Sequence, residues 1–257
     1  MLDDKVAVIY GAGGAIGAAV ARAFASEGAT VFLAGRRRQT VQVVAEDLNV
    51  DGAQVDALDE RAVDSHLQSV VDQAGRVDIV FDAVGIPNAS ILGVPMTELG
   101  VEQFCAPIAT HARSYFLIAR LAARRMVPNR SGVIMTVTAL HSRTGIPLVG
   151  GYGPAQAAKE ALTRGLSAEL APHGIRVVGL RPQAMPETPT IRDAFEPRAA
   201  ASGVTWEQWQ EALAGRTHAR RLMAVRELAD VAVFVASDKA SAMTGTTVNL
   251  TLGSLDD

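Results

Sequence analysis

Val6-Ala7-Val8-Ile9-Tyr10-Gly11-Ala12-Gly13-Gly14-Ala15-Ile16-Gly17 is the stretch on which the fold turns. The run from Val6 to Tyr10 is long enough for a buried strand and too short for a helix. The glycines at 11, 13, 14 and 17 then permit a tight turn and let a ligand approach main-chain amides. From Ala18 to Glu27 the pattern is helical, and Gly28 closes it. Strand, glycine turn and helix in this order set the unpaired amides of a helix N-terminus beside the turn, which suits a pyrophosphate. The plainer alternative is a tight strand-to-helix turn without a ligand.

Outward from this unit the alternation continues. Val31-Phe32-Leu33-Ala34 begins a second strand, and Val41, Val44 and Leu48 follow at helical spacing. Further apolar runs stand at 77–81, 133–137, 175–180 and 246–250, with a weaker one at Gln54-Val55. Strands alternating with helices predict an α/β fold: a three-layer, doubly wound parallel sheet (Rossmann-like) of about seven strands, with helices on both faces. No repeat or low-complexity linker divides the chain, so residues 1–257 read as one domain. Prolines at 182, 186, 189 and 197 break the pattern, and the segment 183–217 reads as an irregular insertion or substrate lid. Its Phe195, Trp206 and Trp209, with Met185, suggest an apolar small-molecule ligand or the packing of the lid itself.

Composition sets the outer limits. With 49% apolar and 20% charged residues the chain has the balance of a globular protein that needs neither disulfide nor metal to fold. A net charge of -3 offers no general attraction for nucleic acid or an anionic membrane surface. No apolar run approaches the roughly 18 residues of a membrane span. Cys105 is the lone cysteine, and Met1-Leu2-Asp3-Asp4-Lys5 lacks the pattern of a secretion signal, so a cytoplasmic setting is expected.

The second strand ends in Gly35-Arg36-Arg37-Arg38. An NAD site usually carries a carboxylate there for the ribose hydroxyls. Guanidiniums would instead pair with a 2′-phosphate, so Arg36 and Arg37 point to NADP(H). The alternative is a solvated helix start.

These pieces, taken with Asp82-Ala83-Val84-Gly85, Tyr152, Gly174-Ile175-Arg176-Val177, Arg181-Pro182 and Thr244-Gly245, resemble the short-chain dehydrogenase/reductase family over essentially the whole chain. Members labelled 3-oxoacyl-carrier-protein reductase-like look similar. The resemblance implies a nicotinamide cofactor across the C-terminal edge of the sheet. It assigns contacts to Gly11, Gly13, Gly14, Ile16 and Gly17, to Asp56 at the adenine, and to Ala83, Val84, Gly85, Pro182 and Thr188. It also implies a homodimer or homotetramer paired through long helices after Val101 and Tyr152.

The family's Asn, Ser, Tyr and Lys transfer incompletely. Tyr152 is present, but Gln156 stands where the Lys would be, Ala139 where the Ser would be, and His111 where the Asn would be. Asp82 also replaces a usual Asn, and Tyr10 a usual Thr. A phenol with an ordinary pKa of about 10 still donates a proton at neutral pH. Gln156 supplies no charge to lower that value but retains hydrogen bonds for the nicotinamide ribose. Lys159 lies on nearly the same helical face, roughly 10 Å further along, and is not expected to substitute fully. Thr138, Ser142, His111 or His141 could reach the space left by Ala139, and an imidazole with an ordinary pKa of about 6.5 suits proton donation. Either histidine could equally be a packed residue. Three functions stay open: an NADP(H)-dependent reductase of a carbonyl or enone using Tyr152, a non-redox or regulatory nucleotide-binding protein, and a non-catalytic subunit of a mixed oligomer.

Overall fold

The computed structural model describes residues 1–86, 92–201 and 203–256. Seven parallel strands form one sheet: β1 (Val6–Tyr10), β2 (Thr30–Gly35), β3 (Gly52–Gln54), β4 (Ile79–Asp82), β5 (Gly132–Val137), β6 (Ile175–Pro182) and β7 (Thr246–Leu250). Their spatial order is β3-β2-β1-β4-β5-β6-β7. The chain therefore reverses its direction of travel across the sheet after β3, and a crevice opens beyond the C-terminal ends of β1 and β4. Every residue of β1 is buried, as a strand covered on both faces requires.

The helices divide between those faces. On one, α1 (Ala15–Ser26), α2 (Arg38–Leu48) and α8 (Val225–Ala236) bury Val20, Phe24, Val41, Leu228 and Val235 against Ile9, Leu33 and Phe81. On the other, α3 (Glu60–Ala74), α4 (Val101–Met126) and α5 (Tyr152–Leu170) bury Val63, Leu67, Tyr115 and Ile118 against Val8, Tyr10 and Val80. The alternation of side chains along each strand serves both layers at once.

Two sequence expectations need correction. The weak third strand ends at Gln54, and Val55 continues only by donating its amide to the Gly35 carbonyl at 3.0 Å. The segment 183–217 is not irregular: it forms α6 (Pro189–Ala201) and α7 (Trp206–Ala214), with Ser202 outside the described residues. Pro189 opens α6, where a missing N–H costs no hydrogen bond, and Thr205 caps α7 by accepting from the Gln208 amide.

Candidate active site

The β1–α1 turn is shaped by what its glycines exclude. Gly11 adopts φ +78°, and a β-carbon there would lie 2.5 Å from the Ala83 carbonyl oxygen. The same atom on Gly13 would meet the Thr40 hydroxyl at 2.4 Å, and on Gly17 the Gly11 carbonyl at 2.3 Å. The turn is thus pressed between the end of β4, the start of α2 and its own helix. Gly14 caps α1 without a side-chain hydrogen bond, and no acidic residue occupies the first turn. Its leading amides remain available for an anion, with Ile16 on that turn partly exposed.

Arg36 and Arg37 follow β2 directly, and both are exposed. Among the described residues no carboxylate is paired with either. Asp56, beyond β3, is also exposed, and its carboxylate accepts from the Leu58 amide at 3.0 Å. Ala83, Val84 and Gly85 continue from β4, while Pro182 ends β6 and is buried. Thr188 is buried, and its hydroxyl donates to the Met185 carbonyl at 2.8 Å. These residues line up along one edge of the sheet. The glycine cradle, bare helix terminus and unpaired guanidiniums fit a dinucleotide.

Tyr152 is the first residue of α5 and stands between two imidazoles. Its ring centroid is 5.2 Å from that of His141 and 6.2 Å from that of His111, both edge-to-face. Burial pushes the phenol up to about 12. His111, on α4, is 4% exposed, and neither ring nitrogen has a hydrogen-bond partner. Burial first, then the Lys159 charge, lowers it to about 4, against smaller opposing effects of Asp82 and the Val84 main chain. Burial likewise lowers His141 to about 4. Both rings are therefore neutral at pH 7. The expectation of an imidazole poised to titrate near neutrality is corrected by the loss of solvent around each ring.

Gln156 is buried one turn beyond Tyr152. Lys159, two turns beyond, commits its ammonium elsewhere: Nζ lies 2.9 Å from Asp82 Oδ2 and donates to the Val137 carbonyl at 2.9 Å. The hydroxyls that flank Ala139 meet Glu160. Ser142 donates to Oε1 at 2.5 Å, and Thr138 lies 3.2 Å from the same oxygen and 3.3 Å from the Leu180 carbonyl. Arg181 completes the arrangement through Nε and a terminal nitrogen at 2.8 and 3.0 Å. Burial alone would raise the Glu160 carboxyl, but bonds from Arg181, Ser142 and Thr138 hold it below the usual range. Thr138 thus supports this carboxylate at the end of β5.

Sequence reasoning missed both buried ion pairs. A usable signal existed for one of them: Lys159 falls on the face of α5 that also buries Ala155 and Thr163, where a lone charge demands a partner. Across α6 and α7, Phe195, Trp209 and Trp206 stack in sequence, with centroids 4.8 and 4.9 Å apart. Met185 belongs to the hydrophobic core instead of the ligand side. Among the described residues no helix is long and apolar enough to cross a membrane, and no cluster of His, Cys, Asp or Glu could hold a metal ion.

Comparison with known proteins places this geometry. Residues 11–254 match the family described as enoyl-(acyl carrier protein) reductase. The chain is 31% identical over 249 residues to the uncharacterized oxidoreductase YxbG of Bacillus subtilis, covering 95% of this chain and 88% of that one. Sorbitol-6-phosphate 2-dehydrogenase SrlD of Erwinia amylovora superposes with a TM-score of 0.90 at 26% identity, over 98% of this chain and 100% of that one. An NAD+-bound xylitol dehydrogenase does so with 0.88 at 25%, over 99% of each.

Proposed function

Because the chain belongs to the short-chain dehydrogenase/reductase family, we propose that it is an NADP(H)-dependent oxidoreductase that reduces a carbonyl or enone of an apolar small molecule, with Tyr152 as the proton donor. The observation that carries this reading is the phenol of Tyr152, held protonated between His111 and His141.

The bound cofactor would supply hydride to the substrate carbon. Gly11, Gly13, Gly14, Ile16 and Gly17 would hold its pyrophosphate, Arg36 and Arg37 its 2′-phosphate, and Asp56 its adenine. Ala83, Val84, Gly85, Pro182 and Thr188 would line the remaining length, with Gln156 at the nicotinamide ribose. Tyr152 would give its hydroxyl proton to the substrate oxygen, and neutral His111 would hydrogen-bond that oxygen. Thr138 would act behind them through Glu160. The stacked Phe195, Trp206 and Trp209 support an apolar substrate under the lid. Exposed Val101 and Phe116 on α4 support a homodimer or homotetramer, which light scattering tests. A cytoplasmic setting is the expectation for such a chemistry.

Absorbance loss on mixing the protein with NADPH and a panel of ketones, enones and 3-oxoacyl thioesters tests the proposal. A second reading, a nucleotide-binding regulatory or partner protein without redox turnover, is favoured by one observation: the ammonium of Lys159, two turns along α5 from Tyr152, is bound to Asp82. NADPH binding without turnover of any substrate would select it.

A further inference from the structure

Near Tyr152 and His111 the chain buries two opposite charges that the chemistry above does not use. Lys159 is 1% exposed and Asp82 0%, with 2.9 Å between Nζ and Oδ2. Desolvating such a pair costs more than its attraction returns unless hydrogen bonds complete both groups. Here they do. Asp82 also accepts from the Val84 amide at 3.0 Å and the Thr136 hydroxyl at 2.9 Å, and Lys159 donates to the Val137 carbonyl. The pair therefore ties α5 to the ends of β4 and β5.

His111 lies in its field. The groups that face the ring are Lys159 and Tyr152 from α5, and Asp82 and the Val84 main chain from the end of β4. The Tyr115 ring is 5.7 Å from the Lys159 ammonium, and its hydroxyl is bonded to Thr163. His141 stands across Tyr152. A buried imidazole with two unpartnered nitrogens is costly, and here it suits the oxygen of a ligand. A lone carboxylate at Asp82 would compete for the N–H of the neutral ring, and at lower pH would favour the imidazolium. The adjacent cation removes the competition.

We propose that Asp82 and Lys159 are positioning residues: the pair balances the charge around His111, so that its ring keeps an N–H for the substrate's carbonyl oxygen instead of turning to Asp82. A neutral imidazole offers one donor and one acceptor. In reduction the Tyr152 proton would pass to the substrate oxygen, the phenolate would regain a proton from water, and His111 would end unchanged. The identity of that oxygen rests on the reductase reading, whereas the control of His111 by the pair does not.

The test is ¹⁵N NMR of the imidazoles in the full chain, with and without NADPH, the His111 signal being assigned from its loss in His111→Asn. The wild-type ring should stay neutral down to about pH 4. Lys159→Gln keeps donors for Asp82 and Val137 but removes the charge, and it should move the His111 titration up by about one unit or more. Adding Asp82→Asn should return it most of the way. At pH 7, Lys159→Gln should lower kcat roughly tenfold with KM changed far less, and Lys159→Gln/Asp82→Asn should recover much of that loss. If Lys159→Gln does not fold, the comparison runs between Lys159→Gln/Asp82→Asn and Asp82→Asn, which should raise and lower the titration relative to each other in that order. A His111 signal indifferent to these changes would overturn the proposal and leave the pair a structural tie. Shifts as expected without turnover of any carbonyl by any variant would uphold the pair's role and defeat the reductase reading.

Discussion

Gly151 and Phe104 meet at a distance that admits no side chain: a β-carbon on Gly151 would stand 1.9 Å from the Phe104 carbonyl oxygen. It would also lie 3.0 Å from Cγ of Pro107, the proline inside α4. The start of α5 is thereby set against α4, which fixes Tyr152 relative to His111.

Replacing Gly151 by Ala should force the two helices apart and cost about 1–3 kcal/mol, the usual range for overpacking. Urea unfolding reads that loss. Because the cradle at Gly11 lies elsewhere, turnover should fall more than NADPH affinity, and an equal fall in both would show that Gly151 does not act through the Tyr152–His111 geometry.

Cofactor choice is expected to depend on Arg36 and Arg37. Changing both to Ser should weaken NADPH by about 1–3 kcal/mol, the worth of charged hydrogen bonds, and leave NADH nearly unchanged. Calorimetry on both nucleotides decides the matter. Equal affinities in the unaltered protein would remove the argument for NADP(H), and a parallel loss of NADH would mark a folding defect.

Tyr152→Phe should abolish reduction while sparing NADPH binding. Gln156→Lys should place a cation one turn away and lower the phenol, raising turnover most in alcohol oxidation, where phenolate is the base. Since burial holds the phenol at about 12, the gain should persist across neutral and mildly alkaline pH and shrink only as pH nears that value. If Tyr152→Phe leaves turnover intact, proton delivery lies elsewhere, and His111 is the next group to change.

The layer architecture was legible because its signals are local: an apolar run, a glycine turn and a helical period recur along the chain. The cradle was legible for the same reason. The ion pair between Asp82 and Lys159 was not, since its members lie far apart in sequence and only the sheet order brings β4, β5 and α5 together. Counting along α4 located His111 but said nothing of its desolvation, which belongs to tertiary packing. The helices within 183–217 are hidden because prolines read as breaks, whereas Pro189 begins a helix and the Thr205 cap begins another.

Acid should destabilise the protein well above the range of ordinary carboxylates. His66, His111 and His141 are each lowered to about 4 by burial, and His66 is bonded to the Tyr10 hydroxyl at 3.1 Å. Between an unfolded value near 6.5 and a folded value near 4, the unfolded chain binds more protons. Their stabilising contribution is therefore full above about pH 6.5 and lost as pH falls through about 4. Thermal unfolding at a series of pH values should show Tm dropping across that window, and a flat profile there would contradict the buried neutral rings.

Met185 and Met223 sit at opposite ends of the excursion that carries α6 and α7, and both are sunk in the same core cluster beneath the sheet. The excursion thus leaves and rejoins the body at two fixed anchors within the crossover from β6 to β7, and every strand lies outside it. Such a segment is a cassette. Transplanting the corresponding stretch from a relative, with both methionines retained, should change which molecules are accepted while strand order and nucleotide cradle carry over intact, and that outcome would separate the inheritance of the chemistry from the inheritance of selectivity.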